Sequence, residues 1–329
     1  MKPKLILTWP YETDETFHPL TDRDISVSIT TDQAFDFQDK SEFKVFWQCE
    51  PPCYINVIPK LLQYASFYDL ILTWNPEVLK RCSNAVFFPF AYVSWPTTWK
   101  APYLFPKKKF GVSFLTSTKC FLPGHYIRQH IFENLPESIG DLKICKYRPE
   151  PPISTREKGT LLDSCQFSIC NENDLLENWF TNHIVDVMAT KAVPIYWGGP
   201  SLDQHFNMNG VIRFENYEEL LSELKQITPD TWSSMEEAVE DNYNRAMAMA
   251  DRWGRVDAEI TKALERSVLD KKDWRDKEFY PSKLPCCVCG TTEKTGSEPR
   301  FGYVVCEKDS KLSPGEINEL DRQARRKTR

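Results

Sequence analysis

The sequence has no long hydrophobic run. None of its apolar stretches approaches the roughly 20 residues that a membrane-spanning helix needs. Near the N-terminus the apolar run at residues 5–7 is short and polar residues follow it, which does not fit a secretory signal. We therefore expect a cytoplasmic protein without a membrane span.

The chain also lacks an excess of positive charge. Its 329 residues include 41 Lys plus Arg and 47 Asp plus Glu, which leaves a net charge of −6. Proteins that bind nucleic acid usually carry a basic face, so this balance disfavours a nucleic-acid partner. A content of 41% hydrophobic and 13% aromatic residues excludes a disordered chain. The length fits two domains with a small appendage.

The cysteines form no repeated disulfide framework. Seven of the eleven are scattered between positions 49 and 170, a usage typical of reduced thiols in an intracellular protein. The others crowd into the tail, residues 281–329, which has a basic end. The tail has zinc-ribbon spacing, with the candidate ligands Cys286, Cys289, Cys306 and Asp309, and Cys287 in reserve. Either the tail binds a structural zinc ion or its thiols are free.

Short apolar runs alternate with helical patterns along most of the chain. Strands are predicted at residues 4–9, 25–30, 43–48, 70–74, 85–90, 110–114, 166–170 and 193–197. Helices are predicted at residues 55–66, 76–82, 126–134, 181–191, 217–226 and, as one long stretch, 231–268. This alternation predicts an α/β protein with two mostly parallel sheets, divided into residues 1–105 and 106–280, with the long helix closing the second unit.

The most informative segment is residues 167–206. One buried strand ends in the polar triplet Asn171, Glu172 and Asn173. The next strand ends at Tyr196 and Trp197, and Gly198 opens the turn that follows. Carboxyl ends of neighbouring parallel strands border one crevice, where ligands bind. We therefore expect both strand ends to face the same pocket.

The helix between these strands begins with a candidate anion site. Thr181 is a plausible N-cap, which places Asn182 and His183 in the first turn, where free N–H groups and the helix dipole favour anions. His183 would add positive charge to a bound phosphate. Alternatively it is a packed core histidine, because it follows Trp179 by four residues.

These motifs resemble glycosyltransferase family 10, the α-1,3-fucosyltransferase family. The family hallmark combines a Phe-Glu-Asn strand end, a Thr-Glu-Lys helix start and a Val-Pro-Ile/Val-Tyr-Trp-Gly run. The counterparts here are Asn-Glu-Asn at 171–173, Thr-Asn-His at 181–183 and Val-Pro-Ile-Tyr-Trp-Gly at 193–198. The resemblance extends over roughly residues 40–225 and is most specific near 193–200.

The resemblance implies a GT-B fold, in which two Rossmann-like domains bind the acceptor and the donor respectively. It implies an inverting, metal-independent transfer of a sugar, fucose from GDP-fucose, to a glycan hydroxyl. Residues 46–52 resemble the family strand whose acidic end carries the catalytic base, which makes Glu50 the candidate. Residues 124–128 resemble the Gly-His-x-x-Arg segment whose arginine contacts the donor diphosphate, here Arg128. The donor-binding candidates are Arg128, Asn171, Glu172, Asn173, Trp179, Thr181, Asn182, His183, Tyr196 and Gly198.

A segment rich in aromatic residues lies between the two predicted domains. Eight of the nineteen residues from 87 to 105 are aromatic. Such rings either pack in a core or stack on the apolar faces of a sugar acceptor. Trp95 and Trp99, which prolines flank, are the candidates for stacking.

Two departures from the family pattern leave alternatives open. Thr-Asn-His replaces Thr-Glu-Lys, so a group with an ordinary pKa of about 6.5 takes the place of a fixed ammonium. The acidic loop of the family often carries two glutamates, and Pro52 stands at the second position. The alternatives are a different nucleotide-sugar donor, a non-catalytic nucleotide- or glycan-binding protein, and a zinc-ribbon nucleic-acid adaptor that the net acidity disfavours.

Overall fold

The computed structural model describes residues 6–8, 25–32, 35, 37, 39–95 and 108–269. Within these residues the chain forms two separate β-sheets with helices between their strands. The α/β architecture with two mostly parallel sheets is thus confirmed. The division into residues 1–105, 106–280 and 281–329 remains a prediction.

The first sheet has five parallel strands in chain order. They are β1 (Ile6–Thr8), β2 (Val27–Thr31), β3 (Phe43–Trp47), β4 (Leu70–Thr73) and β5 (Ala85–Phe87). Helices α1 (Ile58–Gln63) and α2 (Pro76–Arg81) connect β3, β4 and β5. Strands β2 and β4 are buried along their whole length, as expected for a sheet covered on both faces.

The second sheet has six strands in the order β11-β10-β9-β6-β8-β7. They are β6 (Lys109–Leu115), β7 (Ser138–Ile139), β8 (Leu142–Tyr147), β9 (Cys165–Asn171), β10 (Val193–Trp197) and β11 (Ile212–Arg213). All neighbours pair in parallel except the edge strand β7. The chain leaves β6 towards β8 and leaves β9 towards β10, so the winding direction changes between β6 and β9. Such a switch point is where α/β sheets bind ligands.

Four helices pack against the second sheet: α3 (Pro123–Asn134), α4 (Thr155–Asp163), α5 (Asn182–Ala189) and α6 (Tyr217–Gln226). Our prediction missed β7, β8, β11 and α4. The start of α4 nevertheless has a readable signal, because Ser154 and Glu157 form a capping box. The side chain of Ser154 accepts the N–H of Glu157 at 3.3 Å, and the Glu157 carboxylate accepts the N–H of Ser154 at 2.9 Å.

The long helix predicted at 231–268 is wrong as a single element. The structure has α7 (Thr231–Ser234), α8 (Glu236–Ala248) and α9 (Arg252–Leu269) instead. The break before α9 has a local cause, since the Asp251 carboxylate accepts the N–H of Gly254 at 2.8 Å and so starts a new helix.

Helix α9 returns to the first sheet, although our division placed it with the second unit. Trp253, Val256 and Ile260 recur at helical spacing and are buried in the core of the first sheet. The rings of Trp253 and Trp47 lie 5.8 Å apart and nearly perpendicular. No helix in the described part of the chain is long and apolar enough to cross a membrane.

Candidate functional site

A pocket of about 180 Å³ lies at the carboxyl ends of β6 and β9, at the switch point of the second sheet. Its polar lining residues are Thr116, Ser117, Arg128, Lys158, Asn171 and His183. Three predicted donor-binding residues, Arg128, Asn171 and His183, therefore share one pocket. This position is the one expected for a nucleotide in a sheet of this topology.

Arg128 is buried in α3 with its guanidinium held from two sides. Its side chain is 8% exposed. Its Nε donates to the carbonyl of Gly124 at 3.1 Å, and its Nη2 donates to the Asn173 side chain. Burial lowers the pKa of Arg128 to about 10, which leaves it charged at neutral pH. Asn173 thus orients the arginine and is not itself among the lining residues of the pocket.

The surroundings of His183 disfavour its positively charged form. Its Nδ1 lies 2.6 Å from the carbonyl oxygen of Asn171, and because a carbonyl only accepts, Nδ1 carries the proton. Burial, followed by the positive charges of Arg128 and Lys158, holds the pKa of His183 well below its usual value. The expectation that His183 brings positive charge to the site is therefore corrected, because its cationic neighbours already occupy the pocket.

Glu172 fixes the start of α5 from behind the pocket. Its two carboxylate oxygens accept the N–H of Thr181 at 2.9 Å and the Thr181 hydroxyl at 2.7 Å. Thr181 in turn caps the helix by accepting the N–H of His183 at 3.1 Å. Burial raises the pKa of Glu172 to about 7, against the lowering effects of Thr181, Arg128 and Lys158. Glu172 and Thr181 therefore position His183.

Tyr196 and Gly198 pack behind Glu172. Tyr196 is fully buried, and a Cβ on Gly198 would come within 2.0 Å of the Tyr196 hydroxyl and 2.8 Å of the Glu172 Cγ. Only glycine fits between these side chains. Trp179 is also buried, with its ring 4.7 Å from that of Trp74 in the first sheet's unit. Tyr196, Gly198 and Trp179 thus surround the site, but they are not among the lining residues of the pocket.

The stability of the protein is expected to fall as pH rises through the pKa of Glu172. The pKa of Glu172 is about 7 in the folded protein, whereas its ordinary value is 4.5. The stabilisation is therefore fully present below about pH 4.5 and is lost as the pH rises to about 7. Between about pH 5 and about pH 8 the free energy of unfolding should fall by at most about 3 kcal/mol. Urea unfolding at both pH values measures it. Glu172→Gln should lack this component, and equal losses in both proteins would contradict the assignment.

A partly buried polar network around the fully buried Asp186 ties the segment after β5 to α4 and α5. Asp186 accepts the Ser94 N–H at 2.7 Å and the Ser94 hydroxyl at 2.5 Å, and it pairs with Lys158 at 2.5 Å. Asn182 donates to the Ser94 hydroxyl at 2.7 Å. Our prediction found Asn182 but missed Ser94, Lys158 and Asp186. The available signal for Asp186 was its position as the one acidic residue in the apolar run at residues 184–189 of α5.

Glu50 lies on the loop that follows β3, at the carboxyl end of the first sheet. Its N–H and that of Cys49 both donate to the Asp32 carboxylate, each at 2.6 Å. Burial raises the pKa of Glu50, and the positive charge of Lys119 opposes this. Lys119 belongs to the loop between β6 and α3, so Glu50 lies within reach of the charge on the loop that leads into the helix of Arg128. Our prediction missed Asp32, which anchors this loop.

The same two loops meet through an exposed aromatic pair. The rings of Tyr54 and Phe121 lie 5.9 Å apart, and the two residues are 47% and 52% exposed. Trp95, by contrast, is 5% exposed and packs in the core of the second sheet. The stacking role expected for Trp95 is therefore corrected to packing, because its ring is covered. Trp99 lies outside the described residues, as do Cys286, Cys289, Cys306 and Asp309.

Comparisons with known proteins give a partial match. No family model matches the chain. A segment of 77 residues is 29% identical to the α-(1,3)-fucosyltransferase FucT of Helicobacter pylori. This segment is 22% of the chain and spans only 16% of that relative.

Solved structures show distant likeness. A crystal structure of α1,3-fucosyltransferase with GDP is 18% identical, with coverage of 74% of this chain and 79% of that one and a TM-score of 0.47. The catalytic domain of starch synthase IV from Arabidopsis thaliana, bound to ADP and acarbose, is 10% identical, with coverage of 74% and 73% and a TM-score of 0.43. Likeness at TM-scores below 0.5 does not establish a shared function. The sequence match to FucT confirms the resemblance of this chain to α-1,3-fucosyltransferases.

Proposed function

We propose that the protein is an inverting glycosyltransferase that transfers fucose from GDP-fucose to a hydroxyl group of a glycan. The observation that carries the proposal is the convergence of Arg128 and Lys158 on one pocket at the switch point between β6 and β9. A guanidinium and an ammonium beside a helix N-terminus form an environment suited to a diphosphate.

The arrangement favours departure of a nucleoside diphosphate. Negative charge grows on the diphosphate as the bond to the sugar breaks, so fixed cations stabilise the transition state more than the bound donor. Opposite unit charges about 4 Å apart are worth roughly 4 kcal/mol at an effective dielectric constant of 20. Arg128 and Lys158 would provide this charge without a metal ion, which is the basis for proposing a metal-independent transfer.

The acceptor hydroxyl would be deprotonated by Glu50 on the loop after β3, which meets the loop before α3 through Tyr54 and Phe121. A general base should have a pKa that burial moves towards neutrality, and burial raises that of Glu50. The glycan would lie against the exposed rings of Tyr54 and Phe121 on the neighbouring loops. Attack from this side, away from the diphosphate, inverts the configuration of the sugar.

Ligand binding followed by a transfer assay tests the proposal. GDP and GDP-fucose should raise the melting temperature, since a ligand at a hundredfold excess over its Kd stabilises the folded state by about 2.7 kcal/mol. Incubation with GDP-fucose and a panel of glycans should then give a fucosylated product, with a chelator present. A shift with UDP-sugars alone would identify a different donor. Binding without product would identify a non-catalytic binding protein.

A further inference from the structure

Lys158 is the one side chain of the pocket lining that carries an ammonium group. It projects from α4, whereas Arg128 belongs to α3 and His183 to α5. Its side chain is 22% exposed, and its Nζ lies 2.5 Å from the carboxylate of the fully buried Asp186. Arg128 and Lys158 are the Arg and Lys side chains of the lining, and burial disfavours the charged form of His183 beside them.

The hydrogen bonds of Lys158 leave its ammonium group capacity for a ligand. An ammonium has three N–H donors. Asp186 takes one at 2.5 Å, and the Ser94 hydroxyl is 3.4 Å away. Asp186 is itself held by two hydrogen bonds from Ser94, so the anchor of the ammonium is rigid. Among the residues that the structure describes, at least one of the three ammonium donors has no partner and can bond a group inside the pocket.

A second observation in the same pocket points to a polar ligand. The side chain of Asn171 is 1% exposed and lines the pocket, yet neither its Nδ2 nor its Oδ1 has a hydrogen-bond partner among the described residues. An unsatisfied buried amide costs about 1–3 kcal/mol, so such groups usually have a partner. A ligand with both acceptors and donors, such as a phosphorylated nucleoside, would satisfy it.

We propose that Lys158 binds the diphosphate of the nucleotide directly, with Asp186 and Ser94 as the residues that position its ammonium group. This inference rests on the proposed function, because it assigns a residue to the donor site of that reaction. It places one cation of the site on α4, outside the motif at the start of α5. The diphosphate would lie between Lys158 and Arg128, with Asn171 beside it.

Replacement of Lys158 separates phosphate binding from nucleoside binding. Lys158→Met should weaken GDP binding by about 10- to 100-fold, because one charge-assisted contact is lost. The affinity for guanosine, which has no phosphate, should not change. The matched control is Lys191→Met, which removes the same charge from the other end of α5, where Lys191 pairs with Glu240 at 2.5 Å. This variant should bind GDP like the wild type.

Variants of Asp186 separate the loss of the ammonium from the loss of the ion pair, and they control for misfolding. Lys158→Met leaves the buried Asp186 unpaired, so the double variant Lys158→Met with Asp186→Asn is measured as well and should show the same loss of GDP affinity. Asp186→Asn alone retains the ammonium but removes its anchor, so GDP affinity should fall by less than in Lys158→Met. A purely structural ion pair would instead weaken GDP binding equally in both single variants, and the double variant would recover it.

Titration with GDP, guanosine and inorganic pyrophosphate distinguishes a failure of the role of Lys158 from a failure of the proposed function. If the wild type binds GDP and the folded Lys158 variants bind it equally well, the role of Lys158 is overturned and the proposed function stands. If pyrophosphate binding depends on Lys158 but no sugar is transferred, the role of Lys158 stands and the proposed function fails. If the wild type binds neither GDP nor pyrophosphate, both are overturned.

Discussion

Replacing Glu50 with glutamine is expected to lower the rate of sugar transfer by about 10²- to 10⁴-fold and to leave the affinity for GDP unchanged. Glutamine has nearly the same shape as glutamate but cannot accept the proton of the acceptor hydroxyl. The loop geometry should survive, because Asp32 holds it through the backbone N–H groups of Cys49 and Glu50 rather than through the Glu50 side chain.

Steady-state rates with saturating GDP-fucose, together with GDP titration, measure this effect. In the wild type the rate should decline as pH falls below the raised pKa of Glu50, and this acid limb should be absent in the variant. Glu77→Gln is a matched control, since it changes an exposed carboxylate that pairs with Arg81 on α2. Full transfer activity in Glu50→Gln would assign the role of the base to another group.

Replacing Arg128 with alanine is expected to abolish the increase in melting temperature caused by GDP, with a loss of affinity of about 100-fold or more. The guanidinium is buried, charged and directed by Gly124 and Asn173, so it meets a diphosphate in a preset geometry. Hydrogen bonds of this charged, forked type are about twice as strong as neutral ones. Arg128→Lys should restore only part of the affinity, because an ammonium cannot form the bidentate contact.

Arg128→Ala also removes the donor to the Gly124 carbonyl, so stability without ligand must be measured alongside binding. Urea unfolding should show a decrease of about 1–3 kcal/mol that is separate from the ligand effect. Arg148→Ala is the control, since Arg148 covers the Phe132 ring at 3.7 Å and is not among the lining residues of the pocket. If Arg128→Ala binds GDP like the wild type, Arg128 is not in the donor site.

Strand positions were predictable because buried strands are short, apolar and bounded by turn residues. The prediction of 193–197 coincides with β10, and that of 217–226 coincides with α6. The start of α5 was also readable, because Thr181 is a standard cap and its side chain accepts the N–H of His183. Local chemistry decided these elements, so the local sequence contained the necessary information.

The chemical state of the site depended on contacts between distant residues. His183 resembled a cationic phosphate ligand in the sequence. Burial, followed by the charges of Arg128 and Lys158, 55 and 25 positions earlier, instead holds its pKa well below the usual value. Trp95 resembled a stacking platform but is covered by the core of the second sheet. Burial and the sum of neighbouring charges are properties of the folded chain, and no local pattern reports them.

By itself, then, the sequence determined the α/β class, the end of β9 that borders the pocket and the resemblance to α-1,3-fucosyltransferases, whereas the end of β10 does not line that pocket. These depend on periodicity, caps and motifs within a few residues of one another. Tertiary structure alone decided that Lys158 enters the pocket, that Asp186 and Ser94 hold it, and that α9 packs on the first sheet. The physical reason is that an ion pair or a packed face is defined by two partners, and here the partners are 28 to more than 200 residues apart along the chain.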